Sequence, residues 1–310
     1  MTLKGKKILV TGADGFIGSH LTETLVRQGY DVRAFVYYNS FGSWGWLEDS
    51  PKEIKQALDI FSGDVRDPHG VRTAMQGCDV VLHLAALIGI PYSYHSPDSY
   101  VDTNIRGTLN LLQAARELEI EKFIQTSTSE VYGDPQQHPQ TEDYWGHVNP
   151  IGVRSCYDEG KRCAETLFFD YYRQHDLPIK VGRIFNTYGP HMHPNDGRVV
   201  SNFIMQALRG EDITLFGDGL QTRSFCYVDD LVEGLLRLMG SDDSFTGPVN
   251  LGNPNEFTIR NLAELVIGCS GSTSDLDFKP LPSDDPLQRQ PDIALASAQL
   301  GWTPEIQLQE

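Results

Sequence analysis

The chain lacks a cysteine framework. Its five cysteines, Cys78, Cys156, Cys163, Cys226 and Cys269, are odd in number and widely spaced, with no C-x-x-C pair. That excludes a disulfide scaffold and a zinc ribbon, and it reads as the reduced thiols of a cytosolic protein. Long apolar runs are missing as well, so no bilayer-spanning segment is expected. Met1-Thr2-Leu3-Lys4-Gly5-Lys6-Lys7 runs straight into an apolar strand with no signal peptide, and a cytoplasmic location is expected. Positive charge is scarce: 25 Lys and Arg face 42 Asp and Glu, a net charge of −17. Such a surface repels nucleic acid and anionic membranes, so neither is expected as a partner. It repels a nucleotide too, so a phosphate site must be made from local cations and backbone N–H groups. Metal ligands are sparse. His191-x-His193, with only Asp196 nearby, reads as a surface pair, and no metal is expected.

What is present is the stretch Val10-Thr11-Gly12-Ala13-Asp14-Gly15-Phe16-Ile17-Gly18. The apolar run Ile8-Leu9-Val10 leads in as a strand, and residues 16–28 lead out as an amphipathic helix. Gly12 and Gly15 let the backbone turn sharply and approach a pyrophosphate. Gly18 removes a side chain where helix and strand touch, and the helix N-terminus offers N–H groups to the phosphates. The first gap is one residue wider than in the standard dinucleotide fingerprint.

Further strands are expected at 32–37, 59–63, 80–84, 122–126 and 179–185, alternating with helices, the longest over 97–118. This alternation predicts an α/β fold, a Rossmann-type doubly wound parallel sheet with a smaller α/β substrate lobe. After residue 185 the rhythm breaks. Helices are expected at 198–208, 228–239, 258–267 and 292–300, with short strands at 213–216, 248–251 and 276–280. Residues 1–185, with 224–250 returning to them, read as an NAD-binding domain. Residues 186–223 and 251–310 read as a nucleotide-sugar lobe. The segment 39–51, with three small residues and two tryptophans, reads as the loosest. The end of the second strand, residues 34–40, carries neither an acid for a ribose hydroxyl nor an arginine for a 2′-phosphate; NAD is the expected cofactor.

Two later stretches carry chemistry. Thr126-Ser127-Thr128-Ser129-Glu130 closes the strand at 122–126, and Tyr157-Asp158-Glu159-Gly160-Lys161 opens a helix. Tyr157 and Lys161 are four apart and share one helical face. A neighbouring ammonium and an oxidised nicotinamide both favour phenolate over phenol. Tyr157 is then the base that takes a proton from a hydroxyl, while Thr128 orients that hydroxyl. By itself a Tyr-x-x-x-Lys pair is a common surface pattern. The glycine loop, the strand order and the Ser/Thr cluster give it weight. A cofactor-binding regulator on the same fold would typically lack the pair.

With these residues the chain resembles the extended short-chain dehydrogenase/reductases that modify nucleotide sugars. From about Phe123 onward it is similar to the UDP-glucuronate decarboxylases (UDP-xylose synthases). Thr128-Ser129-Glu130-Val131-Tyr132-Gly133-Asp134-Pro135, Ser155-Cys156-Tyr157-Asp158-Glu159-Gly160-Lys161-Arg162, Arg183-Ile184-Phe185-Asn186-Thr187-Tyr188-Gly189-Pro190 and Gln288-Arg289-Gln290-Pro291-Asp292 carry this. The resemblance implies that Tyr157, Lys161 and Thr128 run an oxidation at C4 of the sugar. It implies that Glu130 and Arg289 face the C5 carboxylate end, and that Asn186 and Arg223 hold the UDP part. For the cofactor it implies Gly12, Gly15, Phe16, Ile17 and Gly18, then Asp64, Val65, Leu84, Ala85 and Ala86. Thr103, Thr126, Tyr157, Lys161, Thr187, His193 and Arg198 complete that set. Oxidising C4 makes a β-keto acid, which loses carbon dioxide because the carbanion delocalises into the ketone; the stored hydride then returns to C4. The resemblance also implies a homodimer through the helices at 97–118 and 157–173.

Residues 32–110 depart from that pattern. Tyr38-Asn39-Ser40, Trp44-Gly45-Trp46-Leu47-Glu48 and the run His83 to Pro97 resemble instead 4,6-dehydratases of nonulosonic-acid pathways. Decarboxylases usually have a lysine where Asp102 stands. A 4,6-dehydratase of an NDP-hexose or NDP-N-acetylhexosamine, or a 4-epimerase, would use the same C4 oxidation. Many dehydratases place an Asp where this chain has Ser129, a poor acid, which favours decarboxylation.

Overall fold

Strand β1, Lys7–Thr11, is covered on both faces; its Ile8, Leu9 and Val10 have no exposed surface. A strand so buried belongs inside a parallel sheet, and β1 lies between β2 and β4. The structure, a computed structural model, describes residue 3 and residues 5–195, 197–280 and 288–310. Strands β2 (Asp31–Tyr37), β3 (Asp59–Gly63), β4 (Val80–His83), β5 (Lys122–Thr128) and β6 (Ile179–Ile184) join β1, with Val249–Leu251 at the far edge. The seven run parallel in the order β3, β2, β1, β4, β5, β6, Val249–Leu251. The order reverses between β1 and β4, which opens a crevice at their carboxyl ends.

Two apolar cores flank the sheet. One packs helix α1 (Phe16–Arg27) and helix Val228–Gly240 against the sheet, through Leu21, Leu25, Leu231 and Leu235. The other packs helices Pro68–Met75, Thr108–Glu117 and Ser155–His175, through Val71, Leu111, Leu112 and Phe168. A separate core joins helices Val199–Arg209 and Ile259–Ser270 to the parallel pair Ile213–Phe216 and Leu276–Lys279. Among the described residues no helix is long and apolar enough to cross a membrane.

Three expectations need correction. The helix expected over 97–118 is one run of three windings: Pro97–Tyr100, a π-wound stretch Val101–Gly107, then Thr108–Glu117. Such stretches re-aim side chains beside functional sites; here Asn104 clamps Leu87, donating to its O and accepting from its N at 2.9 Å each. Ala296 and Trp302, assigned to the second lobe, pack into the first core, and the Trp302 indole donates to Asp230 O at 2.9 Å. The segment 39–51 is tied rather than loose. The Asn39 side chain bonds Ser43 O, Phe41 N and Ser43 N, and Trp46 N donates to Asp14 O at 3.1 Å.

Candidate active site

The crevice holds a cavity of about 630 Å3 that starts at the glycine loop and ends at Tyr157. Gly12, Gly15, Phe16, Ile17 and Gly18 form its first wall. Gly12 sits at φ +68°, and a Cβ there would stand 2.8 Å from Ala85 N. Only glycine lets the loop lie against Leu84, Ala85 and Ala86, which form the facing wall. At Gly18 a Cβ would meet the backbone of Gly12, so α1 and the loop touch without a side chain between them. Arg198 lines the same end, its guanidinium 5.2 Å from the Phe16 ring centre. In an acidic chain this brings a cation to the helix N-terminus, where a pyrophosphate is favoured. A long slot with a glycine floor, backbone N–H groups and an arginine at the phosphate end fits a dinucleotide.

Asp64 and Val65 line the other end of that slot, beside Tyr37 and Arg66. Residues 34–40 carry neither charge themselves, but Arg66, in the loop after β3, reaches the end of β2. Its Nε lies 3.0 Å from Asp64, and it donates to the Tyr37 hydroxyl at 3.3 Å. The Arg66 hydrogen bond holds the Asp64 carboxyl below its usual range. The two charges cancel locally, which suits a ribose hydroxyl better than a 2′-phosphate.

Tyr157 and Lys161 stand on the first turns of helix Ser155–His175, both buried and both on the cavity wall with Thr128, Thr126 and Thr103. Lys161 Nζ donates to Thr126 O at 3.0 Å; burial lowers its pKa to about 8, against the pull of Glu165. Burial likewise pushes the Tyr157 phenol up, opposed by a hydrogen bond with Thr128. The ammonium expected to favour phenolate does not overcome burial in the chain alone. Beneath them His83 is buried, its pKa lowered to about 3. Its ring bonds Thr11 Oγ1 at 2.8 Å and Thr108 Oγ1 at 3.1 Å.

Next to the phenol stands a carboxylate among arginines. Glu130 Oε1 lies 2.6 Å from Arg289 Nη1, and Glu130 Oε2 pairs with Arg154. Burial alone would raise the Glu130 carboxyl; Arg289, Arg154 and Arg223 outweigh it and hold it below the ordinary range. Arg289 also donates to Ser129 Oγ at 3.1 Å and Gly133 O at 2.7 Å, and it is 2% exposed. Glu130 and Arg154 line the cavity, whereas Arg289 stands behind Glu130, off the wall. The guanidinium that faces the cavity here is therefore Arg154, which the sequence reading missed. Its position three residues before Tyr157, at the start of the same helix, was the available signal. Glu130→Ala leaves the buried Arg289 without its carboxylate. It is expected to lower unfolding free energy by about 3 kcal/mol, read from denaturant unfolding.

Asp158 shares this neighbourhood. Burial raises its carboxyl to about 6; Arg154 and Arg289 oppose the shift and Glu130 adds to it. In the window between 3.8 and about 6 the folded chain holds a proton that the unfolded chain has lost. Stability from this group therefore falls as pH rises through that window. Asp158→Asn is expected to raise the melting temperature at neutral pH and to leave it little changed in acid, measured by thermal denaturation.

Asn186 and Thr187 line the cavity beyond β6. Arg223 does not; it lies in the short strand Thr222–Ser224, close enough to Glu130 to lower its pKa. His193 is exposed and off the wall, its Nδ1 accepting from Asn195 N. The loop turns at His191, whose φ is +68°. His191, not His193, reaches the glycine-loop helix: its Nδ1 lies 3.1 Å from Ser19 Oγ, and its ring stacks on Trp46 at 4.9 Å.

Comparison with known proteins matches this geometry to a family. The GDP-mannose 4,6 dehydratase family profile matches residues 9–310. UDP-glucuronic acid decarboxylase 6 of Arabidopsis thaliana is 50% identical over 305 residues, which cover 98% of this chain and 86% of the relative. The chain belongs to this family. UDP-glucuronic acid decarboxylase 1 of Danio rerio is 46% identical over 98% of this chain and 70% of its own. Among solved structures, UDP-glucuronic acid 4-epimerase of Bacillus cereus, in complex with UDP-glucuronic acid and NAD, superposes with a TM-score of 0.87. It is 30% identical, over 98% of this chain and 95% of its own. UDP-glucose 4-epimerase of Thermotoga maritima, with UDP-glucose, gives 0.88 at 30% identity, with the same coverage. This member of the GDP-mannose 4,6 dehydratase family thus shares its overall fold with these epimerases.

Proposed function

We propose that this chain is an NAD-dependent UDP-glucuronate decarboxylase, a lyase that makes UDP-xylose by way of a transient 4-keto sugar. One observation carries the reading: about half of the residues are shared, end to end, with UDP-glucuronic acid decarboxylases. The cavity agrees with it. A slot fitted to a dinucleotide runs into a pocket where a buried phenol adjoins a carboxylate and a guanidinium.

The glycine loop, Arg198 and the Asp64–Val65 end would hold NAD, which when bound would supply the acceptor for two electrons from C4. Tyr157 takes the proton of the C4 hydroxyl, and Thr128 aligns that hydroxyl with it. Lys161, fixed on Thr126 O, stands on the same cavity wall as the phenol. Glu130, held ionised, does not itself bind a carboxylate; it orients Arg154, which faces the cavity and can. Arg289 holds Glu130 from the far side. Asn186 and Arg223 are assigned to the UDP part of the substrate.

The same reading divides the chain into a cofactor domain, 1–185 with 224–250, and a nucleotide-sugar lobe, 186–223 with most of 251–310. It makes the protein a cytoplasmic homodimer through the helices at 97–118 and 157–173. Val101 and Tyr172 on those helices are 44% and 39% exposed, as an unpaired interface requires. Tyr172→Asp is expected to turn a dimer into a monomer in light scattering.

The test of function is incubation with UDP-glucuronate and, separately, UDP-N-acetylglucosamine, followed by mass spectrometry. Loss of carbon dioxide from the first is the expected result. Loss of water from the second, with the first untouched, would overturn the proposal in favour of a 4,6-dehydratase.

A further inference from the structure

The reaction above uses neither the tryptophan-bearing segment 39–51 nor the histidine-bearing loop after β6. The fold brings the two together beside helix α1. The His191 ring lies parallel to the Trp46 ring, centroids 4.9 Å apart, and 5.0 Å from the His20 ring. Ser19 Oγ donates its one hydrogen to Phe16 O at 3.0 Å, so in its 3.1 Å contact with His191 Nδ1 the imidazole is the donor. Pro190 O can only accept, so His20 Nε2 donates to it at 2.9 Å. A ring stack and two hydrogen bonds thus join three separate segments of the chain.

Each segment leads to the cofactor slot. Phe16, which holds Ser19, lines the slot. Trp46 N donates to Asp14 O at 3.1 Å, and a Cβ on Gly45 would stand 2.5 Å from that same oxygen, so this segment presses on the glycine loop itself. Asp14 lines the slot as well. In the third segment, Thr187 before His191 and Arg198 after it both line the slot. Arg198 is the cation at the phosphate end, 5.2 Å from the Phe16 ring centre. Pinning His191 to α1 therefore tethers the loop that delivers this arginine.

We propose that Trp46 and His191 form a clasp, which tethers the Arg198 loop to α1 and keeps the cofactor in place while it carries the hydride. Neither ring lines the slot, so both are positioning residues that act through Asp14 and Arg198. The inference rests on the hydride return of the proposed function. Between the two hydride transfers the sugar is a ketone and the cofactor is reduced. Loss of the cofactor at that stage stops the cycle: UDP-glucuronate and NAD have become carbon dioxide, a UDP-4-keto-pentose and NADH. The hydride from C4 is then on NADH and the hydroxyl proton has been matched by the one at C5, so atoms and charge balance. Nothing remains on the protein to reduce the ketone.

The test loads the wild-type chain, Trp46→Ala, Trp46→Phe, His191→Ala and the double alanine variant with radiolabelled NAD, and times its release into excess unlabelled NAD. Each single alanine variant is expected to speed release on the order of tenfold, the worth of a good aromatic contact. The double variant is expected to release little faster than either single one, because both remove the same contact. Trp46→Phe, which keeps an aromatic face, is expected to recover most of the retention. During turnover of UDP-glucuronate the alanine variants are expected to leak NADH, read by its absorbance. Wild-type release rates in both alanine variants would overturn the clasp. A lowered melting temperature with additive effects that phenylalanine does not recover would assign the two rings a structural role, and also overturn it. Slow NAD release from a wild-type chain that frees no carbon dioxide would overturn the decarboxylase reading, while the variants' release rates still decide the clasp.

Discussion

Tyr157→Phe is expected to yield a folded chain that retains its cofactor but has lost about a hundredfold to ten-thousandfold of its carbon dioxide release from UDP-glucuronate. The substitution removes one oxygen from a buried side chain. That oxygen's hydrogen-bond partner is Thr128, whose hydroxyl also receives the N–H of Glu130 at 3.2 Å, so Thr128 is not left alone. The ring keeps its edge contact with Tyr100, centroids 6.2 Å apart, so packing is preserved. What disappears is the base for the C4 hydroxyl. No nearby group replaces it: Glu130 lies among arginines, and Lys161 is engaged with Thr126 O. The measurement is carbon dioxide release per enzyme, with the melting temperature and extracted nicotinamide as controls. Unchanged turnover in a folded Tyr157→Phe would remove the phenol from the chemistry.

Gly12→Ala is expected to give a chain that no longer holds a nicotinamide cofactor. Two costs add at this position. The residue sits at φ +68°, where a Cβ costs roughly 1–2 kcal/mol. The new methyl would also stand 2.8 Å from Ala85 N and 2.9 Å from Ala85 Cα, both backbone atoms with no side-chain rotation to relieve them. The loop must lift away from the segment 84–86, and the floor and facing wall of the slot part company. Gly29→Ala separates the two costs. Gly29 is at φ +84°, with nothing within 4 Å of a Cβ, so it carries strain but no clash. It should bind cofactor as the wild type does, by isothermal titration and by nicotinamide extracted from the purified protein. Equal binding by Gly12→Ala and Gly29→Ala would show that the close approach to Ala85 does not shape the site.

Much of this was legible in the residues alone, and for definable reasons. Parallel strands buried on both faces tend to be apolar runs, so Ile8-Leu9-Val10 and Val80-Val81-Leu82 announce themselves. Helical spacing is rigid, so Tyr157 and Lys161 had to share a face. The misses also have reasons. Arg66 reaches the end of β2 from β3, and strand adjacency is not written in local sequence. Trp302 looked like part of the second lobe because it follows it in the chain; its contacts lie with helix Val228–Gly240. His191 and His193 are two apart in a turning loop, and only the turn decides which one points inward.

The order of residues by itself determined the parallel α/β core, the glycine loop and the Tyr157–Lys161 pair, because each depends on spacing along one element or on the apolar content of one strand. Tertiary structure alone decided which arginine faces the sugar pocket. Arg154, Arg223 and Arg289 are far apart in the chain and look alike as residues. All three act on Glu130, and of the three only Arg154 lines the cavity. The same holds for Asp158. Its neighbours in sequence mark it as one more acid on a helix; its raised pKa comes from burial, a property that exists only once the chain has folded.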